Sequence, residues 1–412
     1  MIRKLLLFVF IGMIALTPVY SGGKKERPAP AASGQGYPAE VEEWLKEVKL
    51  GPWQEKEVSY DALYEAAKKE GKMIVYAGTS RMGRVADAFM EKYPGLKVEA
   101  EMMGTAEVIE KYVREARAGL HRADVVQASQ AGRQKSLLYD RNSLFSWTPP
   151  DLDGVLTSEQ KESFVHWRYG SRQWIYNDTV SKGEPFTSLW ELTEPKWNKR
   201  VAIGDPRLDG GTLDYFITIV LRADEMAADY KKLYGKEITL TTPNAGYEWI
   251  KMLLNNDPII VKSEKDVQPI VGERGLKNAP VGLVAGSRFR DVGNPAKGDL
   301  RFFPTLNTTP AIGVLNIYIA GITYKSANPN TAKLFIRFLY GDEQGGGGFA
   351  PFHEPGNWPA RSDVTAKPEI EFAPDIADVM WPLSKLNFWM MEEEKVYNLQ
   401  EVVLDFLTDT LF

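Results

Sequence analysis

The chain has 412 residues, a length that suits two lobes better than one ordinary core. Apolar residues make up 44%, charged residues 25% and aromatic residues 11%, the composition of a folded soluble protein. With 50 basic against 55 acidic side chains, a net charge of -5 and no basic block, the chain lacks a nucleic-acid footprint. The absence of cysteine removes disulfides, thiolate metal sites and a lipidated N-terminus together.

Residues 1–21 read as a cleaved signal peptide: Arg3 and Lys4 precede an apolar run from Leu5 to Leu16, with small residues before a cut after Ser21. The run is short for a bilayer span, so an uncleaved anchor is the lesser alternative. Residues 22–58 hold a linker and an N-terminal helix. Gly22 to Gly36 has no large apolar residue and cannot offset the entropy of ordering. From Tyr37, Val41, Trp44, Leu45 and Val48 fall on one helix face.

The first lobe is expected over 59–170 plus about 311–412. A helix from Asp61 leads to the strand Met73-Ile74-Val75-Tyr76, a helix ending at Pro94-Gly95, the strand Leu96 to Ala100, a helix from Thr105, and the strand Asp124 to Gln127. This alternation predicts a right-handed parallel α/β unit whose post-strand loops collect on one edge. Those loops carry Thr79, Ser80 and Arg81 after the first strand, and Ser129 and Gln130 after the third.

Ser171 to Tyr176 reads as an extended crossover into a second lobe over 171–310. Within it, Thr187 or Ser188 caps a short helix stopped by Pro195, and Val201 to Ile203 is a short strand. Asp205, Gly210, Gly211 and Thr212 then open a helix, and a glycine loop at a helix N-terminus offers N–H groups and a positive dipole end to an anion. A plain strand-turn-helix is the alternative. The strand Val281 to Val284 ends in Ser287 and Arg288, residues 311–322 look like a buried returning strand, and the glycine run after Asp342 is either a hinge or a surface loop. Which lobe the C-terminal 60 residues join is left open.

Three stretches carry a family resemblance: Gly71 to Ala77, Ser188 to Trp197 with the following strand, and Phe338 to Gln344. In them the chain resembles a periplasmic substrate-binding protein of an ABC importer, in the type II class that includes ferric-iron and sugar-phosphate binders. The resemblance implies two α/β lobes joined by crossover strands, a solute held in the cleft, and a membrane permease as partner. It implies a monomer in the periplasm that needs no cofactor.

Ferric-iron members present neighbouring tyrosines after the second-lobe strand, because Fe³⁺ prefers phenolate and carboxylate oxygens. This chain has Gly286-Ser287-Arg288-Phe289-Arg290 there and no Tyr-Tyr pair anywhere. The expected ligand set is therefore Thr79, Ser80, Arg81, Ser129, Gln130, Asp205, Gly210, Gly211, Thr212, Ser287 and Arg288, which suits a sugar phosphate, phosphonate or carboxylate. Trp174 at the crossover either stacks on a sugar or packs the hinge. Ferric iron is the second choice of ligand, and a secreted sensor subunit the alternative to transport. No nucleophile elbow, His-Glu-x-x-His, Walker loop or dinucleotide fingerprint follows a strand, so no catalysis is expected.

Overall fold

The computed structural model describes residues 36–161 and 165–411. The signal peptide expected at 1–21, and most of the linker after it, lie outside the described residues. The strands are β1 (Lys72–Ala77), β2 (Lys97–Met102), β3 (Val125–Ala128), β4 (Leu144–Phe145), β5 (His166–Tyr176), β6 (Val201–Gly204), β7 (Ile259–Val261), β8 (Val281–Ala285), β9 (Phe303–Pro304), β10 (Gly313–Thr323), β11 (Asn357–Pro359) and β12 (Phe388–Met390). They form one 12-stranded sheet whose main path runs β2-β1-β3-β10-β5-β8-β6-β7.

The sheet has two parallel wings and an antiparallel middle. β2, β1 and β3 are parallel, as are β8, β6 and β7. Between them β5 and β10 pair antiparallel from Gly313↔Gln173 to Ile319↔His166 and cross from one wing to the other. This is the two-lobed α/β architecture, with the crossover strands as its spine. β5 and β10 are nearly all buried, as strands covered on both faces must be.

Local chemistry sets the wings. The helix Met82–Lys92 buries Met82, Val85, Ala86 and Phe89, one stripe at helical spacing, against the first wing. Ser188 caps the 3-10 turn Leu189–Thr193 in a capping box with Glu191, so the expected stop at Pro195 begins a second turn, Pro195–Trp197. The helix Gly210–Leu221 starts within the glycine pair because Asp209 caps it.

The C-terminal segment departs from the grouping of 311–412 with the first lobe. Ile370, Ala373, Ile376 and Met380 pack with Val267, Val284 and Phe289, while Val396, Val403 and Leu407 pack with Phe216, Trp249 and Leu253. Apolar burial is non-directional, so the segment joins whichever core offers a matching face, here the second lobe's. Its last helix, Glu393–Leu411, also touches the short helix Ala131–Leu137 of the first wing.

Candidate functional site

A cavity of about 500 Å³ lies between the two wings, under the crossover strands. The first wing contributes Gly104, Thr105, Ser129 and Gln130; the second contributes Arg207, Gly210, Gly211 and Asp214. The floor is Ser171 and Arg172 of β5 with Val314, Asn316 and Tyr318 of β10, and Glu393 closes one side. Strand ends meet here because parallel strands in each wing point their C-terminal loops inward.

Of the expected ligand residues, Ser129, Gln130, Gly210 and Gly211 line this cavity. Ser129 Oγ lies 3.2 Å from Thr105 Oγ1. Gln130 sits in the left-handed region at φ 58, and its buried Oε1 has no partner among the described residues. The other expected residues are engaged elsewhere. Thr79 Oγ1 accepts the Arg81 N–H at 3.3 Å, and Ser80 is exposed outside the lining. Asp205 accepts Arg207 Nε at 2.8 Å and Nη2 at 2.6 Å. Arg288 Nε donates to Glu264 at 2.9 Å, and the Ser287 carbonyl accepts Arg290 Nη1 at 2.7 Å. Trp174 is fully buried and donates its indole N–H to Tyr215 Oη at 2.8 Å, so it packs the hinge and offers no face to a solute.

The glycine loop is also rearranged relative to expectation. The N–H groups of Gly211 and Thr212 donate to Asp209 Oδ1 at 3.1 and 3.3 Å, so the helix supplies its own anion. Arg172 fills the space above Gly211: a Cβ there would lie 2.0 Å from its Nη2. The guanidinium reaches Asp209 at 3.2 Å, Glu264 at 3.1 Å and Thr212 Oγ1 at 3.2 Å. Arg172 and Arg168 were legible only as even-numbered positions of one strand, which share a face with Gly170.

Two further carboxyls border the cavity, Asp214 and Glu393. Burial pushes Asp214 up to about 6, with Gln400 Nε2 donating to it at 3.0 Å. Burial and the charge of Asp214 push Glu393 up to about 8, while its Oε1 accepts the Ile317 N–H at 3.2 Å. Next to Tyr318, a second polar group forms around Glu354. Arg81 from the loop after β1 lies 2.5 Å from it, and Arg290 from the loop after β8 lies 3.2 Å from it.

The sequence model of the bacterial extracellular solute-binding proteins matches residues 75–346, more than half of the chain. No relative was found among curated proteins. Among solved structures, iron-bound HitA from Pseudomonas aeruginosa is similar over 83% of this chain and 99% of its own, with a TM-score of 0.61 and 17% identity. Trichodesmium FutA with iron and citrate matches over 82% and 99%, with TM-score 0.58 and 16% identity. AfuA from Actinobacillus pleuropneumoniae with fructose-6-phosphate matches over 82% and 99%, with TM-score 0.56 and 17% identity. At these identities the structural likeness concerns the fold. The family match spans more than half of the chain, and the two-winged sheet closed over an interlobe cavity agrees with it: the chain belongs to the bacterial extracellular solute-binding proteins.

Proposed function

We infer that the protein captures a small anionic organic solute, a phosphorylated sugar, a phosphonate or a carboxylate, in the interlobe cavity and presents it to a membrane permease. The leader at 1–21 delivers it to the periplasm, where it works as a monomer without a cofactor or catalytic step. The observation that carries the solute class is the lining. Arg172, paired with Asp209 and Glu264, and Arg207, paired with Asp205, stand in one cavity with the hydroxyls of Thr105, Ser129 and Tyr318 and the amides of Gln130 and Asn316. Guanidinium forks match carboxylate and phosphate oxygens, while hydroxyls and amides match a hydroxylated body. The unpartnered Gln130 Oε1 calls for a donor, which a solute hydroxyl supplies.

Ferric iron is disfavoured by the same residues. Tyr318 is the only tyrosine of the lining. Calorimetric titration with fructose-6-phosphate, citrate and ferric ion tests the reading. Binding of an organic anion, weakened about tenfold or more by Arg207→Ala, is expected from loss of a charge-assisted contact. Stoichiometric ferric binding with no organic anion bound would overturn it.

A further inference from the structure

Glu354 is surrounded by guanidinium groups drawn from three parts of the fold. Arg81 Nη2 lies 2.5 Å from its Oε1, and both side chains are almost buried, at 12% and 13% exposure. Arg290 Nη1 comes from the second wing to 3.2 Å, and Asn357 Nδ2 donates at 3.1 Å. Arg168 of β5 acts on the same carboxylate by charge, as does Arg84. Four arginines and one further carboxylate, Asp291, act on Glu354, and burial pushes its carboxyl up to about 8 despite the arginines.

Arg168 is 3% exposed, donates from Nη1 to the neutral Asn357 Oδ1 at 2.6 Å, and its buried Nε has no partner among the described residues. A buried guanidinium without a bound anion is costly, and its side chain packs on the ring of Tyr318, the tyrosine that lines the solute cavity. The arginine group and the cavity are therefore neighbours across one aromatic ring.

We propose that Arg81, Arg168 and Arg290 form an anion subsite of the cleft, and that Glu354 is an internal carboxylate that occupies it until the anionic group of the solute takes its place. The inference rests on the anionic-solute reading and assigns that anion a position. Glu354 shows the chemistry the subsite accepts, a carboxylate gripped from both lobes at once. Exchange with a solute carboxylate or phosphate transfers the grip from chain to solute, so the interlobe bridge then depends on the ligand. The segment that carries Glu354 is anchored by the buried Phe349 and Phe352 and turns back at Gly356, whose φ of +81 suits glycine.

Calorimetry with inorganic phosphate and with citrate, on the exported chain and its Glu354→Ala and isosteric Glu354→Gln variants, tests this. Both variants are expected to bind phosphate at least tenfold tighter than the unsubstituted protein, and Arg168→Gln in either background is expected to abolish the gain. No gain in either variant, or a gain that survives Arg168→Gln, overturns the subsite. If the unsubstituted protein binds citrate while the Glu354 variants gain nothing, the subsite fails and the solute class stands. If the variants gain phosphate while the unsubstituted protein binds no organic anion, the subsite stands and the solute class fails.

Discussion

Replacing each of the two glycines that open the helix Gly210–Leu221 separates a solute-facing role from a packing role. At Gly211 a Cβ would sit 2.0 Å from Arg172 Nη2 and 2.5 Å from its Cζ, so Gly211→Ala must evict the guanidinium. Eviction strips Asp209 and Glu264 of a shared cation, and breaking a buried ion pair costs about 3 to 5 kcal/mol. Asp209 keeps the Gly211 and Thr212 N–H groups, and Glu264 keeps Arg288 and the Ala285 N–H, so the lower end applies. Alanine returns about 1 kcal/mol of helix propensity, which leaves a net loss of about 2 kcal/mol. At Gly210 the nearest atom is Gln130 Nε2 at 3.4 Å, so Gly210→Ala is neutral or gains up to about 1 kcal/mol. Urea unfolding followed by intrinsic fluorescence reads the difference, and Arg172→Ala closes a double-mutant cycle in which the Gly211→Ala penalty should vanish. Equal stability of the two alanine variants would refute the claim that Arg172 dictates the glycine.

Three further substitutions bear on the same region. Arg172→Met should cost about 3 kcal/mol in urea unfolding and weaken citrate or sugar-phosphate binding, since it leaves buried carboxylates uncompensated. Trp174→Phe should cost about 1 to 2 kcal/mol through the lost bond to Tyr215 while calorimetric solute affinity stays within about threefold, as expected of a hinge residue outside the cavity. Glu393 has its folded-state value raised from 4.5 to about 8, so its contribution is fully present below pH 4.5 and is lost as the pH rises through 8. Glu393→Gln should therefore melt with the unsubstituted protein near pH 5. It should be more stable by about 2 kcal/mol near pH 8.5, discounted because the side chain borders an open cavity.

The parts of the fold set by nearby residues were legible in the sequence. Met73 to Tyr76 and the apolar run within 311–322 each carry their own apolar pattern, and each is found as a strand. The glycine loop shows where local reading stops. Gly210-Gly211-Thr212 has the composition of an anion nest, but the preceding Asp209 is itself an N-cap residue and takes those N–H groups. Arg81 and Arg288 were expected to face a solute as free cations, and both are held by carboxylates, Glu354 and Glu264, that lie far along the chain. Glu354 and Glu393 have no local signature at all. What gives them meaning is burial beside β5 and β10, which depends on how the C-terminal segment folds back across the second lobe.

Native mass spectrometry of protein purified without denaturation, with elemental analysis of the same sample, tests the central claim most directly. A co-purified organic anion of a size that fits a cavity of about 500 Å³, released on unfolding, with no stoichiometric iron, is expected. One iron per chain and no organic anion would contradict it.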